Sequence, residues 1–212
     1  MLKENLTNRS KKAALIVIDV QNDYCSPNGA MDKLGKNLEM IEGAMDNLKF
    51  VLTSFRERQL PIIFVKTVHS SNTDSLVWKQ RLLNAGDSAG ICRDKWGQDF
   101  YQIRPRENEP VVIKHRYSAF VGTNLDILLN SMGINTLLLC GFITNVCVEG
   151  TARDGFMRDY NVLTLSDCTA SYEKQEYLSA IHNLNTYFGN VVHSRELLNK
   201  NFEKKDVVIN ES

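Results

Sequence analysis

The run Ala13-Ala14-Leu15-Ile16-Val17-Ile18 is apolar at every position and then meets Asp19. A strand with one wet face alternates apolar and polar residues, whereas an unbroken apolar run suits a strand covered on both faces. Such strands lie in parallel sheets sandwiched by helices, and the rest of the chain repeats the theme. Pro61-Ile62-Ile63-Phe64-Val65, Val111-Val112-Ile113-Lys114, Thr136 to Leu139, Asn161 to Leu165 and Val191-Val192 predict five further strands. Between them, Leu38, Ile41, Met45, Leu48, Leu52 and Phe55 recur at steps of three and four until Pro61 stops the helix. Thr123 as N-cap, Leu125, Leu128, Leu129 and Met132 on one face and Gly133 as the stop signal predict a second helix. Two more are expected over Val146 to Arg158 and around Tyr177, Ile181, Leu184 and Phe188. The expected fold class is α/β, three layers (α/β/α) around a mostly parallel sheet of about six strands.

At 212 residues and 43% apolar composition the chain suits one domain over residues 1–212. Its core is expected over residues 13–195, with polar tails at 1–12 and 199–212. Twenty-five basic residues balance 25 acidic ones and are scattered. That pattern excludes the basic footprint of a nucleic-acid or anionic-membrane binder and leaves a small molecule as the expected partner. The first residues hold no apolar signal core and no apolar run is long enough to span a bilayer, so a cytoplasmic location is expected. Cys25, Cys92, Cys140, Cys147 and Cys168 are an odd set with no C-x-x-C pair and no zinc-type spacing. Reduced thiols and no metal or cofactor are therefore expected.

Right-handed crossovers bring the C-terminal ends of parallel strands to one edge, where such folds bind ligands. Asp19 and Lys114 end two of the expected strands. Gly141-Phe142-Ile143-Thr144-Asn145-Val146-Cys147 follows a third, turning sharply into a helix with a thiol in its first turn. Unpaired N–H groups and the positive end of the helix dipole there are expected to lower a thiol pKa from ~8.5 toward ~7. The segment alone is also compatible with a buried core cysteine, Asp19 with a turn residue and Lys114 with a solvated strand end. Together they supply a nucleophile, a proton carrier and a cation.

Three segments then carry a resemblance. Leu15 to Tyr24 (LIVIDVQNDY) is similar to the first-strand motif of the isochorismatase-like cysteine hydrolases. Lys114 to Phe120 (KHRYSAF), followed by Gly122-Thr123 and Leu125, is similar to their lysine motif. Gly141-x-x-Thr144-x-x-Cys147-Val148 with Thr151-Ala152-Arg153-Asp154 is similar to their nucleophile motif. The resemblance spans about residues 13–195 and implies the family's Rossmann-like fold. It further implies that Cys147 attacks a carboxamide carbon, Asp19 moves protons and Lys114 supports both. It also implies a cis peptide at Ile143–Thr144 and an oxyanion hole formed by the backbone N–H groups of Ile143 and Cys147.

Within that family, nicotinamidases carry a D-x-H metal motif that the segment Thr67-Val68-His69-Ser70-Ser71-Asn72 lacks. His69 reads as a hydrogen-bonded loop residue, and His182 and His193 belong to no ligand pattern. Asn145-Val146-Cys147-Val148-Glu149 resembles the ureidoacrylate amidohydrolase and biuret hydrolase branch. The expected reaction is thus cysteine-dependent hydrolysis of a C–N bond in a small ureido or carboxamide compound, with ammonia released through a thioester-type intermediate. An isochorismatase-type vinyl ether hydrolase, a metal-independent nicotinamidase-like amidase, and a binding or redox-responsive protein are the alternatives. Asn22, Tyr24, Arg116, Tyr117 and Phe120 are candidate substrate contacts, with Tyr24, Phe120 and Trp78 walling the pocket and Asn22 and Gln21 orienting Asp19 or touching substrate. The resemblance also implies a homodimer or homotetramer. Residues 70–109 match no branch.

Overall fold

The computed structural model describes residues 12–84, 86 and 90–199. The tails expected at residues 1–12 and 199–212 therefore lie, apart from Lys12 and the backbone of Asn199, outside the described residues. Strand β1 (Ala13–Ile18) leads into the short helices α1 (Asn22–Cys25) and α2 (Ala30–Lys33) and the long α3 (Glu39–Glu57). Then follow β2 (Ile62–Thr67), α4 (Leu76–Asn84), β3 (Val111–Lys114), α5 (Leu125–Ser131) and β4 (Thr136–Phe142). A π-helical turn over Thr144–Val148 runs into α6 (Glu149–Phe156), and β5 (Asn161–Ala170), α7 (Lys174–Tyr187), β6 (Asn190–Val192) and α8 (Ser194–Asn199) complete the order. The six strands form one sheet in the order β3-β2-β1-β4-β5-β6, with every neighbouring pair parallel. No described helix is long and apolar enough to cross a membrane.

Because side chains alternate across a strand, β1 feeds both faces of the sheet. Leu15 and Val17 join a core with Ile41, Met45, Leu48, Leu52 and Phe55 of α3, while Ala14, Ile16 and Ile18 join one with Leu125, Leu129, Ala152 and Leu184 from α5, α6 and α7. Every residue of β1 and β4 is buried, which is why both read as unbroken apolar runs. Thr123 acts one position outside the expected cap: its hydroxyl accepts the Leu125 N–H at 3.1 Å, but Asn124 is the N-cap residue. Gly133 does stop α5, in the left-handed region at φ +66°.

The sheet reverses strand order between β1 and β4, where Ile18 pairs with Gly141. Gly141 has φ +108°, and a Cβ there would lie 2.0 Å from the Ile18 carbonyl oxygen. Only glycine lets the two strands whose ends carry Asp19 and Cys147 approach this closely.

Away from the switch point, Arg56 of α3 clamps Glu109 ahead of β3. Its Nε and Nη2 donate to the two carboxylate oxygens at 2.8 and 2.7 Å, and the Arg106 N–H adds a bond at 2.8 Å. Burial pushes the Glu109 carboxyl up, but these donors outweigh it and hold it below the usual range. A depressed carboxylate stabilises the fold above its unfolded pKa of about 4.3, and that contribution disappears as pH falls through the lower folded value. Glu109→Gln is expected to lower unfolding stability by about 1–3 kcal/mol at neutral pH. In urea titrations the gap to wild type should close in strong acid; a gap independent of pH would contradict this account.

Candidate active site

Asp19 leaves β1 at φ +51°, a left-handed conformation that aspartate tolerates better than branched residues do. Its N–H donates to the Val65 carbonyl at 2.9 Å and its own carbonyl accepts the Gln21 N–H at 2.8 Å. The carboxylate is fully buried, at the edge where β1, β2 and β4 end. Lys114, the last residue of the edge strand β3, spans β2 to reach it, with Nζ 2.7 Å from Asp19 Oδ2. The same ammonium donates to Thr67 Oγ1 at 2.7 Å, to the Arg116 carbonyl at 3.0 Å and to Cys147 Sγ at 3.4 Å. Asp19, Lys114 and Cys147, far apart in sequence, thus meet around a single Nζ.

Cys147 sits in the π-helical turn rather than in an α-helical one. The Ile143 carbonyl accepts the Val148 N–H at 3.3 Å, five residues on, and the Val146 N–H at 3.2 Å. Polar side chains pin this elbow. Thr169 donates its hydroxyl proton to the Gly141 carbonyl at 2.7 Å, so at the 2.9 Å contact between Thr144 and Thr169 the donor is Thr144. Thr151 donates to the Cys147 carbonyl at 2.7 Å and accepts the Ala119 N–H at 3.0 Å, locking the lysine-motif loop against the thiol's helix.

Two expectations about this elbow need correction. The cis peptide lies between Phe142 and Ile143, one bond before the expected Ile143–Thr144. β4 extends through Phe142 and Thr144 already belongs to the helical turn, so the reversal falls on the bond that enters the cap residue Ile143. The thiol pKa is not lowered either: burial pushes it well up, Lys114 pulls it down by less, and Asp19 adds to the rise. Loss of water around a 5% exposed thiol disfavours the thiolate by more than Lys114 favours it. Burial also works against the Lys114 ammonium, but Asp19 and Cys147 outweigh it and hold lysine above its usual range.

The tentative contacts separate into three groups. Tyr24 lies beside Asp19 and Cys147: burial raises its phenol pKa, the charges of Cys92, Asp19 and Cys147 add to that, and a hydrogen bond with Thr67 opposes it. Trp78 and Tyr117 form an aromatic wall, with ring centroids 4.8 Å apart, and the His69 ring is 5.3 Å from that of Trp78. Arg116 lies over Trp78 at 5.2 Å and donates Nη1 to the Thr73 and His115 carbonyls. The indole Nε1 of Trp78 is buried and has no hydrogen-bond partner among the described residues. His69 binds Asp74 at 2.8 Å, and Asp74 also takes Arg93, so this histidine holds a loop.

Asn22 and Phe120 face elsewhere. The Asn22 amide donates to the Trp96 carbonyl at 2.8 Å. Phe120 is buried in the core, stacked on Tyr160 just ahead of β5 and covered by Arg158, which places it toward the opposite end of the sheet and corrects its assignment as a substrate contact. Its partners are supplied by the start of β5, a long-range contact that the motif's local sequence does not encode. Cys25, Cys92, Cys140 and Cys168 are all buried and free. One residue at the site is unassigned in the sequence, Thr67, and Trp78, expected as a pocket wall, also brings an indole donor. Thr67 ends β2 as Lys114 ends β3, so the strand-end rule that found Lys114 also covers it.

A family model, the isochorismatase domain, matches residues 13–196. The chain belongs to the isochorismatase family. Among isochorismatase relatives, ureidoacrylate amidohydrolase RutB of Serratia proteamaculans is 32% identical over 194 residues, covering 84% of this chain and 78% of that protein. The enzyme of the same name from Klebsiella variicola is 32% identical, with 88% and 85% covered. An isochorismatase-like hydrolase from Alkaliphilus metalliredigens superposes with a TM-score of 0.74 at 29% identity, over 89% of this chain and 97% of its own. N-carbamoylsarcosine amidase from Thermoplasma acidophilum does so at 0.70 and 26%, over 86% and 96%. The isochorismatase-like fold expected from the three motifs is therefore the fold of this chain.

Proposed function

We propose that the protein is a cysteine amidohydrolase that cleaves a C–N bond of a small ureido or carboxamide compound, using Asp19, Lys114 and Cys147. The observation that carries this reading is the placement of Asp19 Oδ2 and Cys147 Sγ on one Lys114 ammonium, at 2.7 and 3.4 Å. A buried, protonated thiol needs a base, and Asp19 is the carboxylate beside it. In the proposed cycle Asp19 takes the thiol proton as sulfur bonds to the substrate carbonyl carbon. Lys114 balances the charge that passes between them. The N–H groups of Ile143 and Cys147 receive the developing oxyanion. The proton on Asp19 then goes to the departing nitrogen and ammonia leaves.

Water, deprotonated by Asp19, attacks the resulting thioester or, from a ureido group, thiocarbamate. The thiol regains a proton and the acid is released. A carbamic acid product breaks down to an amine and carbon dioxide. The buried indole N–H of Trp78, without an acceptor among the described residues, and the adjoining Tyr117 are suited to hold a carbonyl or carboxylate of the substrate. The RutB relatives at about one-third identity and the carbamoyl amidase neighbour support a ureido substrate.

A panel of ureidoacrylate, biuret, N-carbamoyl amino acids, nicotinamide and simple amides tests the reading through ammonia release, with isochorismate followed separately. Preferred release from a ureido compound is expected. Turnover of isochorismate with no ammonia from any amide would overturn it.

A further inference from the structure

Thr67 is 2% exposed and stands between the two charged members of the triad. Its hydroxyl is 2.7 Å from Lys114 Nζ and 3.0 Å from Asp19 Oδ1. An ammonium has protons to give and no lone pair, so Thr67 accepts from Lys114. Of its other neighbours, the Tyr24 phenol has a proton of its own to give whereas the Asp19 carboxylate can only accept, so the single hydroxyl proton goes to Asp19 Oδ1. Oδ1 is thereby committed. The other oxygen, Oδ2, is buried and receives no aligned hydrogen bond, with the Lys114 ammonium beside it at 2.7 Å.

Thr67 is itself held on both sides. The side-chain amide of the buried Gln21 accepts the Thr67 N–H at 2.7 Å and donates to the Thr67 carbonyl at 2.9 Å, and a further bond to the Gln98 carbonyl at 3.0 Å steadies the amide. A β-branched side chain on a fixed backbone has few rotamers, so the hydroxyl points one way. From this geometry we infer that Thr67 is a positioning residue that selects Oδ2 of Asp19 as the oxygen exchanging protons with Cys147. The inference rests on the proposed cysteine mechanism, in which Asp19 performs that exchange. It adds a fourth side chain to the machinery implied by the motifs, and Gln21, already expected beside Asp19, holds it in place.

Thr67→Val keeps the shape and removes the hydroxyl. It is expected to lower kcat about 10- to 100-fold, the effect of losing a hydrogen bond to a charged group, while KM stays near wild type. Thr67→Ser should recover most of the loss, because it restores the hydroxyl without the methyl. A parallel readout needs no substrate: alkylation of Cys147 by iodoacetamide, followed by mass spectrometry of its peptide, should slow in Thr67→Val and recover in Thr67→Ser. Near-UV circular dichroism checks folding, and Thr67→Ala serves in place of Thr67→Val if the valine variant does not fold. A folded hydroxyl-free variant that matches wild type in kcat and in alkylation overturns the inference, as does a serine variant no better than valine. The expected alkylation pattern in a protein that hydrolyses nothing on the panel would instead count against the amidohydrolase reading and leave Thr67 in its role.

Discussion

Cys147→Ser is expected to lower kcat on the preferred substrate by a factor on the order of 10⁴ or more, with the folded structure retained. The two side chains are close in shape, and the position is packed by Val148, Ala152 and the Thr151 bond to the Cys147 carbonyl, none of which needs sulfur. The chemistry does need it. Burial raises the thiol pKa, and in the proposed cycle Asp19 removes its proton in the attacking step. A hydroxyl is far more reluctant to give up its proton than a thiol, and the same carboxylate cannot make up the difference. Ammonia release gives the rate. Intact-mass spectrometry of wild type quenched during turnover should show an acyl or carbamoyl adduct on the Cys147 peptide, and the serine variant should show none. A serine variant with more than about a tenth of wild-type kcat would remove the thiol from the mechanism.

The parts legible in the sequence share one physical cause. Strands buried on both faces leave unbroken apolar runs, so β1, β2 and β4 announced themselves, and parallel order then placed Asp19, Lys114 and Cys147 at one edge. What stayed hidden depends on contacts between distant segments. β5 runs on through Ser166 to Ala170 because Thr169 bonds the Gly141 carbonyl and Thr144, an interaction that no local pattern encodes. Helix α4 buries no residue fully and carries no clear apolar stripe, yet it supplies Trp78. The loop at residues 90–101 has little periodicity of its own. It docks because Asp23 accepts the Cys92 N–H at 2.6 Å and Asn22 and Asp23 bond the backbone of Asp99 and Gly97. A Cβ on Gly97 would lie 2.2 Å from the Asp23 carboxylate, so that contact needs glycine. The thiol pKa was misread for a related reason: the helix dipole is visible in local sequence, whereas desolvation comes from the assembled fold.

Lys114→Met should abolish detectable turnover and also lower unfolding stability by about 3–5 kcal/mol, the usual effect of stranding one member of a buried ion pair. Lys114 is 1% exposed and Asp19 is fully buried, so removal of the ammonium leaves a buried carboxylate without its cation. If stranding is the cause, removing the second charge should relieve it: the Asp19→Asn, Lys114→Met double variant is expected to be more stable than Lys114→Met alone. Urea unfolding of the four proteins closes the cycle. The pH dependence follows from the sign of the lysine shift. With the folded pKa raised above its unfolded value of about 10.4, the ammonium's contribution is fully present below that pH and is lost only as pH rises through the higher folded value. The gap between wild type and Lys114→Met should therefore stay level on the alkaline side of neutrality and narrow only in strong alkali. A Lys114→Met protein as stable as wild type would mean that the ammonium does not compensate Asp19, and the charge balance assigned to the catalytic cycle would fall with it.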